Sequence, residues 1–192
     1  MNAKRGYVPE DDRNFSADAV ETMRMASRQI IYLINEGYDL KQASTFVGNH
    51  YVLSERQRLA LMRSVATNEQ LKTRREKQKF QIDGEEVWVD GFNTIITLEV
   101  MHSNSILFIG QDGTVRDLAA LRGTYKIIPQ TEAAINTLFE SMQEMNVASV
   151  HILLDEPVSN SGRLKSLLAD ISLNYSFDLD IQILKNRGGA FS

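Results

Sequence analysis

The chain has 192 residues, enough for one domain or two small ones. Its composition, 43% hydrophobic and 24% charged, is typical of a soluble globular protein, and no apolar run reaches the ~18–20 residues that cross a membrane. The absence of cysteine excludes disulfides and thiolate metal sites, so any metal must bind carboxylates, carbonyls or one of the three histidines. The N-terminus lacks the apolar core of a secretory signal, and a cytoplasmic location is expected.

The net charge of −4 is unevenly distributed. Residues 1–80 carry 14 Lys and Arg against 10 Asp and Glu, a net of +4, whereas residues 81–192 carry 7 against 15, a net of −8. The N-terminal excess of positive charge comes from one basic segment, which consists of Lys72, Arg74, Arg75, Lys77 and Lys79. A basic segment of this kind forms either a solvated surface or a contact for the phosphates of RNA or DNA.

Residues 1–66 predict a small helical domain. Residues 1–14 are polar, show no periodicity and predict a loose tail. Apolar residues then repeat at helical spacing between Ser16, a candidate N-cap, and Gly37, a candidate C-terminal stop. The first long helix is therefore expected between these two residues.

Two shorter helices are predicted to follow. One covers residues 40–47, with Asp39 as its cap and Gly48 as its end. The next begins after Ser54, with Gln57 completing a capping box. These two helices could form a helix-turn-helix, but compact three-helix units commonly have no role in DNA binding.

A basic linker over residues 67–80, which could be a continuing helix, is predicted to lead into an α/β domain over residues 81–192. Alternating strands and helices predict a mostly parallel sheet flanked by helices. Right-handed crossovers place the strand-to-helix loops at one edge of such a sheet. The predicted strands are 86–90, 105–109, 125–128, 148–154 and 178–184, and the predicted helices are 93–102, 115–121, 131–145 and 161–172.

Two of these apolar strands end in an aspartate, Asp90 and Asp155. The carboxyl ends of parallel strands line the crevice in which ligands bind, so both acids are expected at the same edge. Carboxylate oxygens are the ligands that Mg²⁺ or Mn²⁺ prefers. The alternative for Asp90 is a helix N-cap, because Asp is favoured there.

The segment after Asp155 combines serines and a glycine with the start of a predicted helix. Ser159, Ser161 and Gly162 could hold a phosphate at the helix N-terminus, or the serines could cap that helix. Arg116 could bind a substrate phosphate through its bidentate fork, or pair with Asp112 or Asp117 on the surface. The same two alternatives apply to the nearby cations Arg122 and Lys126.

Residues 87–96, Val-Trp-Val-Asp-Gly-Phe-Asn-Thr-Ile-Ile, resemble the first motif of the PIN-like and NYN nucleases. In that motif a strand delivers a metal-binding aspartate, followed by glycine, an aromatic residue and asparagine. A wider resemblance is to an uncharacterised bacterial and archaeal family that joins a small helical domain of unknown function to a PIN-like domain of unknown function. The motifs that carry it lie at 47–51 with 57–58, 89–93, 113–117 with 123–125, and 154–162.

The resemblance implies a Rossmann-like, three-layer domain and phosphodiester hydrolysis on RNA. It implies that Asp90 and Asp155 bind Mg²⁺ or Mn²⁺ and that Asn93 orients a ligand or water. PIN-like sites often take another acid from a helix, but Glu99 is expected on a solvated face. They usually carry a further acid after a later strand, and no Asp or Glu follows Asp180. The domain is therefore expected either to lack its C-terminal end or to have an incomplete site.

Two rival functions stay open at this point. One is a non-catalytic module that binds nucleic acid or phosphate, and the other is a protein-interaction adaptor in which the acids are only helix caps. Asn49-His50-Tyr51 predicts either a turn that caps neighbouring helices or a ligand contact. His102 and His151 are expected to be structural, because neither has a second histidine at zinc spacing. The substrate and the oligomeric state do not follow from the sequence.

Overall fold

The computed structural model describes residues 4–119 and 124–185. None of the helices in these ranges combines the length and apolar character needed to span a membrane. The helices are α1 (Asp11–Asn14), α2 (Ala17–Asn35), α3 (Leu40–His50), α4 (Glu55–Ser64), α5 (Asn68–Lys77), α6 (Gly91–His102), α7 (Gln130–Glu144) and α8 (Ser161–Ser172). The strands are β1 (Glu86–Asp90), β2 (Leu107–Ile109), β3 (Val115–Asp117), β4 (Ser149–Asp155) and β5 (Asp178–Leu184).

The chain divides into two compact units. The helical unit contains Gly6–Gln78 together with Ile106–Leu118, and the α/β unit contains Lys79–Ser105 and the described residues from Ala119 onward, with Arg5. Residues 106–118 were predicted to lie in the α/β domain, whereas the structure groups them with the helices. The basic linker predicted over 67–80 is largely helix α5.

Helix caps in the helical unit follow the predicted chemistry. The Ser16 hydroxyl accepts a hydrogen bond from the Ala19 amide, and Gly37 ends the α2 turn with a φ of +88°. Ser54 and Gln57 form the predicted capping box at the start of α4. The apolar faces of α2, α3 and α4 pack into one core, which includes Ala26, Ile30, Ala43, Val47 and Leu61.

Helix α3 differs from its predicted end. It continues through Gly48 to His50, so Asn49-His50-Tyr51 is the end of a helix rather than a separate turn. A Cβ at Gly48 would lie 2.9 Å from Cζ of Arg58, whose guanidinium covers this point. The Arg58 guanidinium also donates to Asn49 Oδ1 at 2.9 Å. Gly48 therefore allows close packing instead of terminating the helix.

The described part of the predicted loose tail over residues 1–14, which begins at residue 4, is anchored rather than loose. Asp11, in the short helix α1, is 5% exposed. Its carboxylate accepts two hydrogen bonds from the Arg56 guanidinium, at 2.9 and 2.8 Å. A bidentate pair of this kind satisfies a buried carboxylate, which no local periodicity in the sequence can reveal.

The predicted helix over 115–121 is wrong. Val115–Asp117 is strand β3, which pairs antiparallel with β2 through a turn containing Gly113 at φ +79°. The turn at Gln111–Thr114 was predicted correctly, but the segment after it is too short to show whether its period is that of a helix or a strand. Instead of the strand predicted over 125–128, the described residues show a single bridge between Thr124 and Ser159.

The α/β unit is built on a parallel sheet with the strand order β1–β4–β5. In the described residues α6 packs on β1 and β4, α8 packs on β5, and α7 packs on α6 and α8. Trp88 of β1 is 51% exposed and stacks on His151 of β4. The three-layer arrangement that the family resemblance implies stays a prediction.

Gly91 controls the fit of α6 against β4. A Cβ at this position would lie 2.6 Å from Leu154 Cδ2 and 2.9 Å from the backbone oxygen of Leu153. Leu154 is fully buried and the Leu153 oxygen belongs to the sheet backbone, so neither can move easily. The first residue of α6 therefore has to be glycine for the helix to follow Asp90 so closely.

We expect Gly91→Ala to lower the free energy of unfolding by about 1–3 kcal/mol, the usual cost of an overpacked core. Gly162→Ala is the matched control, because a Cβ there meets no atom within 4 Å. Urea denaturation of both variants measures the difference. An equal stability of the two variants would contradict the assigned packing at Gly91.

Candidate metal and phosphate site

Asp90 stands between β1 and α6 and serves as the N-cap of that helix. Its Oδ1 accepts a hydrogen bond from the Asn93 amide at 3.3 Å, and its Oδ2 accepts one from Asn93 Nδ2 at 2.6 Å. Capping by Asp90 is therefore confirmed. A capping carboxylate retains further lone pairs, so this role does not prevent it from binding a cation.

Asp155 ends β4 and is exposed. Within the described residues its carboxylate forms no hydrogen bond or ion pair. In the parallel register Asp90 of β1 is paired with Leu153 of β4, and Asp155 lies two residues after Leu153 on β4. Side chains two apart on a strand share a face, so both acids project from the same face of the sheet, offset by roughly 7 Å along the strand direction.

This arrangement suits an open Mg²⁺ or Mn²⁺ site. Such ions commonly use one or two protein carboxylates and keep several waters or substrate oxygens. Asp90 and Asp155 supply two carboxylates at one sheet edge, and the amide oxygen of Asn93 stays available because its nitrogen donates to Asp90. In residues 4–119 and 124–185 there is no group of three His, Cys, Asp or Glu that could form a closed metal cage.

The loop after Asp155 presents the N-terminus of α8. Its N-cap residue, Asn160, has a positive φ of 65° and gives no side-chain cap to the helix. Instead, its Nδ2 donates to the backbone carbonyl oxygen of Tyr125 at 2.6 Å. Ser161 and Gly162 therefore begin a helix without a side-chain cap, and the amides of such a first turn attract anions.

Ser159 has a structural role in the same loop. Its hydroxyl accepts a hydrogen bond from the backbone amide of Tyr125 at 3.2 Å and donates one to the backbone carbonyl oxygen of Tyr125 at 3.4 Å. These bonds fasten the loop to residues 124–125. Of the three predicted phosphate ligands, Ser161 and Gly162 are thus the more open positions.

Glu99 is fully buried, which overturns its expected position on a solvated face. Its carboxylate accepts hydrogen bonds from Arg5 Nε at 2.7 Å, from the Tyr125 hydroxyl at 2.6 Å and from the Thr131 hydroxyl. Burial, followed by the nearby Glu99 charge, raises the pKa of Tyr125, which keeps its hydroxyl protonated as a donor. The Glu99 carboxylate therefore uses its oxygens for these three partners and connects α6 to Arg5, Tyr125 and Thr131.

Arg116 lies in the helical unit, on β3. The Nη2 atom of Arg116 donates to Asp112 Oδ2 at 2.6 Å, which confirms Asp112 as one of the two predicted ion-pair partners of Arg116. Arg74, from the basic segment, donates to the same oxygen at 2.7 Å. Of the other two candidate cations, Lys126 is exposed, and Arg122 lies outside the described residues.

Asp112 was predicted as part of a turn and as a possible surface partner of Arg116, but the structure buries its carboxylate. Its side chain is 4% exposed and also accepts hydrogen bonds from the Thr114 amide and hydroxyl. Burial alone would raise the pKa of this carboxyl, but the bonds from Thr114 and Arg116 outweigh it and lower the pKa to about 2. Asp112 therefore stays ionised between the two arginines.

The low pKa of Asp112 predicts a specific acid sensitivity. A carboxyl with a pKa of about 2 in the folded state and 3.8 otherwise stabilises the fold above pH 4, and this contribution is lost as the pH falls through 2. The stability difference between wild type and Asp112→Asn should shrink by roughly 2 kcal/mol over that interval. Urea midpoints at pH 4.5 and 2 measure it, and a constant difference would contradict the assignment.

Comparison with known proteins supports the predicted two-part organisation. Residues 22–77 match a family described as a protein of unknown function, DUF434, and residues 79–189 match a domain of unknown function, DUF5616. An uncharacterised protein of Methanocaldococcus jannaschii is 32% identical over 167 residues, which cover 86% of this chain and 80% of the relative. No solved structure shows significant similarity. The chain therefore belongs to the DUF5616 family, with a DUF434 region ahead of that domain.

Proposed function

We propose that this protein is a PIN-like ribonuclease that depends on Mg²⁺ or Mn²⁺. The observation that carries the proposal is the placement of Asp90 and Asp155 on one face, at the carboxyl ends of adjacent parallel strands. The resemblance of residues 87–96 to the first PIN-like motif supports it. A cytoplasmic location stays a prediction.

The proposed roles follow from the local geometry. Asp90 and Asp155 would hold the cation, which when bound lowers the pKa of a water and stabilises charge on a phosphodiester. Asn93 keeps Asp90 oriented through its 2.6 Å bond and can offer its amide oxygen to a water. The Gly162 amide, which no side chain caps, and the Ser161 hydroxyl would receive a phosphate of the RNA, whereas the Ser161 amide donates to the Val158 carbonyl.

RNA would be attracted through the basic segment Lys72, Arg74, Arg75, Lys77 and Lys79. Four of these side chains lie in or next to the last turn of α5, outside the strongly acidic second half of the chain. Contacts of this type neutralise backbone phosphates without reading sequence, so binding should weaken steeply with salt. A preference among RNA sequences is not expected from them.

End-labelled single-stranded RNA tests the proposed activity. Incubation with Mn²⁺ or Mg²⁺ should give products, and the same protein in EDTA should give none. A cleavage rate that EDTA leaves unchanged would contradict a cation-dependent reaction. RNA that binds but stays intact with either ion would overturn the nuclease assignment.

The second candidate is a non-catalytic module that binds RNA. It is favoured by one observation: the described residues offer two acids at this edge, and one of them already caps α6. This candidate predicts RNA binding that persists in EDTA and weakens with salt, with no cleavage product. The RNA assay therefore separates the two functions.

A further inference from the structure

The helical unit contains a cavity of about 570 Å³ between the C-terminal half of α5 and the β2–β3 hairpin. This size is in the range of pockets that bind small molecules. Its wall carries four cations, Arg74, Arg75, Lys77 and Arg116, against one acid, Asp112. The lining therefore has a net charge of +3, whereas the whole chain has a net charge of −4.

Two of the cations are fixed by the buried acid. The Asp112 carboxylate binds Arg74 at 2.7 Å and Arg116 at 2.6 Å, and the backbone and hydroxyl of Thr114 hold the carboxylate itself. The arginine side chains stay accessible, at 48% and 33% exposure, because each uses only part of its guanidinium for Asp112. A planar guanidinium held in this way is suited to bidentate contact with a phosphate.

The other two cations have no such internal role. Arg75 and Lys77 form no ion pair with any residue of the described ranges, although both line the cavity. Their positive charges lie in the last turn of α5, where they stabilise the helix by interacting with its dipole. This is the ordinary reason for basic residues at the end of a helix. That reason does not apply to Arg116, which lies on a strand, nor does it explain a buried acid that binds cations from two elements.

Electrostatics determines the type of ligand. The carboxyl end of α5 contributes roughly half a negative charge, which offsets only a small part of the +3 of the lining. We propose that this cavity binds a nucleotide-sized ligand carrying two or more phosphate groups, with Arg74 and Arg116 as fixed contacts and Arg75 and Lys77 as the outer ones. The site lies wholly in the helical unit and does not depend on the proposed nuclease.

Calorimetric titration of the full chain with ATP, in EDTA, tests this site. EDTA removes any contribution from a cation at Asp90 and Asp155, and Asp155→Asn should bind ATP as the wild type does. Adenosine should bind at least about 100-fold more weakly than ATP, because charge-assisted hydrogen bonds to the phosphates provide the affinity. Equal binding of adenosine and ATP, or no ATP binding at millimolar concentration, would overturn the proposal.

Variants locate the binding to the cavity. Arg116→Gln should weaken ATP binding by about 10- to 100-fold. The double variant Arg75→Gln with Lys77→Gln removes two charges that support no described ion pair, so it should fold normally and still lose about tenfold in affinity. Arg24→Gln, at a side chain 69% exposed on α2, is the charge control and should leave ATP binding unchanged. An equal loss in Arg24→Gln would refute a specific site.

RNA competition separates a free nucleotide from RNA as the source of the phosphates. An RNA oligomer with a 5′-triphosphate should displace ATP, because its end carries the same group. The same oligomer with a 5′-hydroxyl should displace ATP at least about tenfold less well. If the 5′-hydroxyl RNA competes as strongly as the triphosphate, the cavity binds internal backbone phosphates, and the assignment to a polyphosphate group is wrong.

Discussion

Asp155→Asn is expected to lower the cation-dependent cleavage of RNA by at least about 100-fold. A bound metal ion contributes several kcal/mol to catalysis, and about 2.7 kcal/mol corresponds to a factor of 100 in rate. Asp155 is exposed and its carboxylate has no bond to a described residue, so its replacement should not disturb the fold. Rates in 1 mM Mn²⁺, measured with equal amounts of folded protein, give the comparison.

Asp90→Asn is the companion variant. Asparagine is as good an N-cap as aspartate, so this change removes the charge while the start of α6 is preserved. Asp170→Asn is the matched control, because Asp170 is an exposed acid near the opposite end of α8. We expect loss of cleavage in Asp155→Asn and Asp90→Asn and wild-type rates in the control. Equal rates in all three would remove both acids from the reaction.

Glu99→Ala is expected to destabilise the protein by about 3–5 kcal/mol, the cost of breaking a buried ion pair by removing one partner. Arg5 would lose its charge partner, and the hydroxyls of Tyr125 and Thr131 would lose their acceptor in a region without solvent. For a chain of this size the expected decrease in melting temperature is roughly 6–20 °C. Differential scanning calorimetry and urea denaturation measure it.

Glu144→Gln is the control for Glu99→Ala. Glu144 is exposed at the end of α7, where the loss of a negative charge should change stability by less than about 0.5 kcal/mol. If Glu99→Ala melts within 2 °C of this control, the buried network does not stabilise the fold as described. Thr131→Val should give a smaller loss, of about 1–3 kcal/mol, because it removes one donor to Glu99 and the acceptor of the Ile128 amide but leaves the Arg5 pair intact.

The sequence predicted the elements whose signals are local. Ser16, Ser54 and Gly37 define helix ends through their own side chains and backbone conformation, and the structure places helix ends there. The strands β1, β4 and β5 were also predicted, because β1 and β4 contain short apolar runs and β5 alternates apolar and polar residues. These signals need no knowledge of distant residues.

The strand predicted over 105–109 contains β2, but the hairpin was missed because β3 is three residues long, too short to show a period. Glu99 carried a signal that was read incorrectly. It lies four residues after Ile95 and seven after Phe92, on the apolar stripe of α6, where a charged residue indicates a buried partner. Its cation, Arg5, is 94 residues away along the chain, so the pair itself could not be predicted.

The candidate site was predicted in part. The strand-end positions of Asp90 and Asp155 follow from the pattern of apolar runs, and the register then places both acids on one face. Of the cluster around Asp112, the Arg116 pair was among the alternatives, but the Arg74 contact could not be predicted, because Arg74 lies 38 residues before Asp112 in the chain. The turn signal at Gly113 explains the bend but contains no information about burial of the carboxylate.

Titration of Mn²⁺ into the wild type and Asp155→Asn, followed by calorimetry, tests the central claim most directly. We expect one site per chain in the wild type and an affinity for Mn²⁺ at least about tenfold weaker in Asp155→Asn, with Asp170→Asn unchanged. Identical Mn²⁺ binding by the wild type and Asp155→Asn, or no binding by the wild type at millimolar Mn²⁺, would contradict a cation site at the edge formed by β1 and β4.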